Sequence, residues 1–124
     1  MERLIYHFKC LDGVCDFTGT CENDVLDYAF DSTIAEIPSR SGQLDKEQTA
    51  RFLKELDEAN IERWEKEYEP DLTPIEDAVR WELEYEKDSR SFSSKGEETY
   101  EPYGYEHLIK AMMICDQAAS YFMI

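Results

Sequence analysis

The chain contains 124 residues, which is enough for one domain with a single hydrophobic core and too few for two. Hydrophobic residues make up 42% and aromatic residues 13%, so the composition excludes a chain that is disordered throughout. Asp and Glu number 29 against 13 Lys and Arg, and the net charge of −16 disfavours direct binding to nucleic acids or to anionic membranes, because both attract Lys and Arg.

The N-terminal third is predicted to form antiparallel strands. Leu4–Cys10 alternates Leu, Tyr, Phe and Cys with Ile, His and Lys, the pattern of a strand with one buried face. Asp12–Gly13 favours a tight turn, so Val14–Thr18 is predicted to return as the second arm of a hairpin. Val25–Phe30 fits either a short strand or one to two helical turns, and Pro38–Gly42 is predicted to interrupt regular structure.

A long central helix is predicted to begin after Asp45. Asp45 and Gln48 have the spacing of a capping box, in which each side chain bonds a free backbone amide of the first turn. The residues that follow at steps of three and four form one mostly apolar stripe, which comprises Leu53, Leu56, Asn60, Trp64 and Tyr68. We predict that the helix ends near Tyr68, because Pro70 cannot continue it.

A second pair of strands and a final helix follow. Val79–Glu86 directs Val, Trp, Leu and Tyr to one face and Arg and Glu to the other. A turn then leads to a strand over Arg90–Ser94, a polar loop over Lys95–Gly104 and an amphipathic helix over Tyr105–Phe122. These elements predict one α+β domain over residues 1–124, with a small antiparallel sheet of hairpins packed against the long central helix and the C-terminal helix.

The spacing of several large residues resembles that of a group of small, uncharacterised bacterial proteins. The residues are Ile61-x-x-Trp64, Trp81-x-Leu83-x-Tyr85, Gly96 and Tyr100-x-Pro102. The resemblance implies a helix that leads into a hairpin and then into a loop with Gly followed by Tyr-x-Pro, and it carries no function. In size and charge the chain is also similar to the acidic inhibitors of anti-CRISPR and anti-restriction type that phages and mobile elements encode.

The sequence also indicates where the protein is located. Met1–Phe8 includes charged side chains and a histidine, unlike the uninterrupted apolar stretch of a signal peptide. No run approaches the roughly 18 apolar residues of a membrane span. We therefore expect a cytoplasmic protein in which the four cysteines are reduced thiols.

The soft metal ligands of the sequence cluster near the N-terminus, at His7, Cys10, Cys15 and Cys21. A zinc site would need these donors to converge, but the spacings lack a close Cys pair, and strand alternation sends His7 and Cys10 to opposite faces. We expect buried thiols, with no metal and no other cofactor. His107, in the first turn of the last helix, is expected to have a solvent-exposed or capping role.

Acidic residues are concentrated between Lys54 and Glu106, which carry −11 of the net charge. The strand acids Glu82, Glu84 and Glu86 should stand about 6.6 Å apart on one face. One interpretation is a solvated face that confers solubility. The other is a single anionic surface that imitates a nucleic-acid backbone and combines these strand acids with loop acids and with the helix acids Glu55, Glu58, Glu62 and Glu65.

A tyrosine-rich segment adjoins these acids. The three tyrosines of Tyr100–Tyr105 suit either the centre of an interface or the cover of a sheet edge. The predicted partner-binding residues are therefore Glu82, Glu84, Glu86, Glu97, Glu98, Tyr100, Glu101, Tyr103 and Tyr105.

The function predicted from the sequence is binding without catalysis. The sequence contains no nucleophile elbow, phosphate-binding glycine loop or paired-histidine metal motif. We predict that the protein binds a basic, nucleic-acid-binding partner protein and acts as a nucleic-acid mimic or inhibitor. The alternatives are a small cysteine-based metal-binding or enzymatic protein, and a housekeeping protein whose charge only confers solubility.

Overall fold

The computed structural model describes residues 2–68, 79–97 and 102–123. Its strands are β1 (Glu2–Cys10), β2 (Gly13–Glu22), β3 (Val25–Ser32), β4 (Arg40–Gln43), β5 (Glu67–Tyr68), β6 (Arg80–Lys87) and β7 (Arg90–Glu97). Its α-helices are α1 (Lys46–Glu58) and α2 (Tyr105–Cys115), and two short 3-10 helices cover Ile61–Arg63 and Gln117–Phe122. The predicted α+β class is confirmed.

The described strands form one sheet with the order β4-β3-β2-β1-β6-β7-β5. Neighbouring strands are antiparallel except for β5 and β7, which run parallel. The predicted antiparallel sheet of hairpins is therefore only partly correct, because the described sheet has seven strands and its pairing of β5 with β7 is parallel. The first and last hairpins join through the pairing of β1 with β6. Because this contact links residues about 80 positions apart, no local pattern in the sequence announces it.

The N-terminal strands follow the predicted alternation. Leu4, Tyr6 and Phe8 of β1 are buried, and β2 pairs with β1 as the second arm of the hairpin. The segment that fitted either a strand or a helix is the strand β3, which pairs with β2 so that Phe17 lies opposite Phe30. This pairing continues the buried face across three strands.

The predicted interruption at Pro38–Gly42 contains an edge strand instead. β4 pairs with β3, and all four of its residues are exposed. An edge strand with solvent on both faces needs no apolar alternation, so its sequence shows none. Gly42 lies opposite Tyr28, where an added Cβ would come within 2.7 Å of the tyrosine hydroxyl oxygen.

Helix α1 begins as predicted but ends ten residues before Tyr68. The Asp45 side chain accepts a 2.8 Å hydrogen bond from the Gln48 amide, and the Gln48 side chain accepts one of 3.2 Å from the Asp45 amide. The helix has 13 residues, and Asn60 then adopts a left-handed conformation with φ 52°. Asparagine tolerates this conformation, which ends the helix and turns Ile61 into the core.

The second hairpin confirms the strongest strand prediction. Trp81, Leu83 and Tyr85 of β6 are buried, and the residues between them are exposed. Strand β7 continues to Glu97, so the predicted loop after Ser94 is wrong for its first three residues.

The C-terminal helix is shorter than predicted. α2 ends at Cys115, Asp116 is extended, and its carboxylate accepts a 2.9 Å hydrogen bond from the amide of Ala118. The 3-10 helix that follows still places Ala119 and Phe122 in the core, so the predicted apolar stripe is buried despite the interruption.

The helices pack on one face of the sheet. Ring contacts join Phe17 to Phe52 of α1, Tyr6 to Phe122, and Trp81 to Tyr105 of α2. None of the described helices packs on the opposite face, whose side chains alternate with those of the core. No helix in the described ranges is long and apolar enough to span a membrane.

Candidate interaction surface

We define the outer face as the sheet surface opposite the helices. Acidic side chains outnumber basic ones on the strands that form it. The acids are Asp16, Glu22, Asp27, Asp31, Glu67, Glu82, Glu84, Glu86 and Glu97, and the bases are Arg3, Lys9, Arg80 and Lys95. The outer face is therefore a broad acidic surface with basic residues interspersed.

The predicted row of strand acids lies near the middle of the outer face. Glu82, Glu84 and Glu86 are all exposed and follow one another along β6 at intervals of about 6.6 Å. Their neighbours on the flanking strands differ in charge. Glu82 lies opposite His7 on β1 and Lys95 on β7, and Glu86 lies opposite Arg3 and Ser91.

Glu84 differs from the other two acids because its cross-strand neighbours, Ile5 and Ser93, are uncharged. Cross-strand pairs of opposite charge attract each other, so a carboxylate with neutral neighbours keeps more of its charge available to a partner. Glu84 is therefore the centre of the negative charge in this row.

Ion pairs tie other charged residues of the outer face to one another. Lys95 Nζ lies 3.5 Å from Glu67 Oε1, and Arg80 Nε lies 3.5 Å from Glu97 Oε1. Glu97, a predicted partner-binding residue, is thus half-buried and paired with a cation of its own chain. It contributes less free charge than Glu84.

A depression of about 450 Å³ lies over β1, β6 and β7. It is lined by Ile5, His7, Lys66, Glu67, Glu82, Leu83, Glu84, Ser93, Ser94 and Lys95. His7 is held at its rim by Asp16, whose Oδ1 lies 2.5 Å from Nδ1. Two carboxylates beside an apolar floor suit a basic side chain, because its alkyl stem and its charged end can both find partners there.

The predicted tyrosines separate into different environments. Tyr103 is 97% exposed, whereas Tyr105 is 3% exposed and packs against Trp81, with its hydroxyl bonded to that of Tyr6. The prediction that Tyr105 binds a partner is therefore wrong, because it opens α2 on the core side of the sheet. The other predicted residues of this segment, Glu98, Tyr100 and Glu101, lie outside the described residues.

The prediction of one continuous anionic surface is wrong. Glu55 and Glu58 belong to α1, on the other side of the core from the outer face, and both lie near His107. Glu62 lies 3.1 Å from Arg90. Strand alternation sends Glu82 and its neighbours away from the helices, so the acids form two separate groups.

The soft metal ligands near the N-terminus do not converge. Cys15 and Cys21 lie six residues apart on β2, or about 20 Å along an extended strand, whereas zinc binds sulfur at about 2.3 Å. His7 points to the outer face, and Cys15 and Cys21 are buried on the other. Burial raises the pKa of the Cys15 thiol to about 11, which disfavours the thiolate that a nucleophile requires.

Sequence reasoning missed the basic residues that flank the acidic row. Arg3 lies across from Glu86 only because β1 pairs with β6, and that register depends on contacts between distant parts of the chain. The sequence predicts a solvent-exposed or capping role for His107, but its Nδ1 lies 2.9 Å from Glu55 Oε2.

No protein-family model matches the chain, and no curated protein matches it.

Proposed function

We propose that the protein binds a basic, nucleic-acid-binding partner protein through the outer face, without catalysis, as a nucleic-acid mimic or inhibitor. The observation that carries the proposal is the exposed row of Glu82, Glu84 and Glu86 on a sheet face that no described helix covers. An acidic surface of this kind complements a basic groove and speeds association with it.

The depression over β1, β6 and β7 suggests how a partner is recognised. An Arg or Lys side chain of the partner would lay its alkyl stem on Ile5 and place its charge between Glu82 and Glu84. Charge-assisted hydrogen bonds to a carboxylate are stronger than neutral ones, so this contact would fix the orientation of the partner.

A pair of charge-reversal variants with equal net charge tests the proposal. The outer-face variant carries Glu82→Lys, Glu84→Lys and Glu86→Lys. The control carries Glu36→Lys, Glu47→Lys and Asp57→Lys, three exposed acids outside the sheet. Partners would be captured from extracts of the native host, identified by cross-linking and mass spectrometry, and then purified for affinity measurements.

We expect the outer-face variant to lose binding to the basic partner and the control to keep most of it. Binding of the wild type should weaken steeply with salt, because charges on opposed surfaces are screened over about 8–10 Å at 0.10–0.15 M ionic strength. Duplex DNA should compete with it. Equal losses in the two variants would mean that only total charge matters, and the outer-face proposal would fail.

A further inference from the structure

A second group of charged side chains joins the two α-helices. Glu55 and Glu58 lie three residues apart on α1 and therefore share one face of the helix. His107 lies in the first turn of α2, with Nδ1 2.9 Å from Glu55 Oε2 and 3.4 Å from Glu58 Oε2. The side chains of His107 and Glu55 are partly buried, at 27% and 31% exposed, and that of Glu58 is exposed, at 46%.

The backbone holds these elements close together. Gly104 precedes α2 and approaches the end of α1 so closely that an added Cβ would lie 2.5 Å from the carbonyl oxygen of Ala59. The same carbonyl oxygen accepts a 2.8 Å hydrogen bond from Trp64 Nε1. The distance between His107 and Glu55 is thus set by the backbone contact between the start of α2 and the end of α1, and not only by the attraction between the two side chains.

The distances suit a metal ion. One donor atom from each of Glu55, Glu58 and His107 can be chosen so that all three lie within 4.8 Å of one another. Ligand bonds of about 2.0–2.2 Å in a tetrahedral site place neighbouring donor atoms roughly 3.3–3.6 Å apart. The 3.4 Å separation between His107 and Glu58 already has this length, and the 2.9 Å separation from Glu55 requires a shift of about half an ångström.

A carboxylate also lies near the other ring nitrogen of His107. Glu106 Oε1 lies 3.8 Å from Nε2, within ion-pair distance. Histidines that bind metals through one nitrogen usually present the other N–H to a carboxylate, which fixes the tautomer and the orientation of the ring. Nδ1 would exchange its hydrogen-bond contact with Glu55 for a bond to the ion.

We propose that Glu55, Glu58 and His107 bind a divalent transition-metal ion that links α1 to α2. One imidazole and two carboxylates form a ligand set that suits Mn²⁺ or Zn²⁺. Glu55 and Glu58 also line a groove of about 510 Å³ between the helices, so water or another ligand can reach a fourth coordination position. Arg51, Lys54 and Lys110 line the same groove, and the carboxylates of the site offset their positive charge.

Mn²⁺ is the better probe for this site, because it prefers oxygen and nitrogen ligands and the chain has four cysteines that could bind Zn²⁺. The sequence contains only two histidines, so the NMR spectrum of the protein has only two sets of imidazole resonances, those of His7 and His107. His7 is a built-in control, since it also lies beside a carboxylate, that of Asp16, but on the outer face. The spectrum of the His107→Asn variant would assign the resonances.

We expect substoichiometric Mn²⁺ to broaden the His107 ring resonances selectively and to leave those of His7 sharp. Glu58→Gln should weaken Mn²⁺ binding by about tenfold or more, because it removes a ligand while retaining the contact between His107 and Glu55. Glu47→Gln, an exposed acid of the same helix, should leave the affinity within about twofold of the wild type.

Three results would overturn the proposal. They are equal broadening of both histidines, which would indicate diffuse attraction to an acidic surface, equal affinities of Glu58→Gln and Glu47→Gln, and no broadening at millimolar Mn²⁺. Circular dichroism of each variant would confirm that it is folded. These measurements involve no partner protein, so their outcome is independent of the function proposed for the outer face.

Discussion

Replacing Trp81 by alanine should cost about 3–5 kcal/mol of unfolding free energy. Trp81 is 2% exposed and lies at the centre of an aromatic cluster, with ring centroids 5.9 Å from Trp64, 6.0 Å from Tyr68 and 5.6 Å from Tyr105. Its removal would leave a cavity between β6, β5 and α2 that these large rings cannot readily fill. The loss of unfolding free energy therefore has two parts, one from the apolar surface that is no longer buried and one from the cavity that remains.

The expected loss corresponds to a large change in melting temperature. At roughly 2.1 cal/mol/K per residue, the entropy of unfolding of 124 residues near 60 °C is about 0.26 kcal/mol/K. Each kcal/mol then lowers the Tm by about 4 °C, so Trp81→Ala should lower it by about 11–19 °C. Thermal unfolding followed by circular dichroism measures the shift. A decrease below about 4 °C would refute this description of the core.

Trp64 provides the matched comparison. The sequence predicts that both tryptophans are buried, but Trp64 is only partly buried and packs against the core from the segment after α1. Trp64→Ala should therefore lower the Tm by less than Trp81→Ala. In the single-tryptophan variants Trp64→Phe and Trp81→Phe, acrylamide should quench the remaining Trp64 faster than the remaining Trp81. Equal quenching rates would contradict the conclusion that Trp64 is more exposed than Trp81.

Other predictions concern the ends of α1 and the buried thiols. Asp45→Ala should cost about 1 kcal/mol in chemical denaturation, because it removes the helix cap, and Asp45→Asn should restore most of it. Asn60→Ala should cost about 1 kcal/mol, whereas Asn60→Gly should be tolerated, since only the latter adopts the left-handed conformation without strain. Burial raises the pKa of Cys15 from 9.0 to about 11, so the unfolded state ionises first. This contribution to stability is full below pH 9 and should decline as the pH rises through 11, and Cys15→Ala should show a smaller decline.

The strands with one buried face could be predicted from the sequence because alternation is a local property. β1 and β6 carry large apolar residues at every second position, and both lie where the pattern places them. β4 carries no such pattern, because it is an exposed edge strand whose hydrogen bonds come from β3. Its formation depends on the backbone of another strand and could not be predicted from Arg40–Gln43 alone.

The end of α1 was mispredicted because the apolar spacing continues through residues that are not helical. Trp64 and Tyr68 lie at helical intervals from Leu56, but Asn60 reverses the chain, and the later residues reach the core from a 3-10 turn and from β5. Tertiary packing satisfies the same apolar positions with a different backbone. A pattern of burial therefore does not by itself identify the element that produces it.

Within the candidate interaction surface, the orientation of Glu82, Glu84 and Glu86 could be predicted, but their neighbours could not. Each outward position on β6 follows from alternation along one strand. The presence of Arg3 and His7 beside them follows from the register between β1 and β6. Likewise, Tyr105 follows an exposed tyrosine in the sequence but opens α2, which turns its ring into the core.

The core separates the two proposed binding sites. Glu84 points outward from β6, whereas His107 and Glu58 belong to helices that pack beyond Trp81 and Leu83 on the opposite side. Residues without shared contacts usually act additively, so Glu58→Gln should leave partner binding unchanged. The control variant places two of its three lysines on α1, the helix that carries Glu55 and Glu58, so it should weaken Mn²⁺ binding more than the outer-face variant does. Loss of partner binding in Glu58→Gln would instead locate the partner on the helices, because Glu58 lies on α1, on the other side of the core from the outer face.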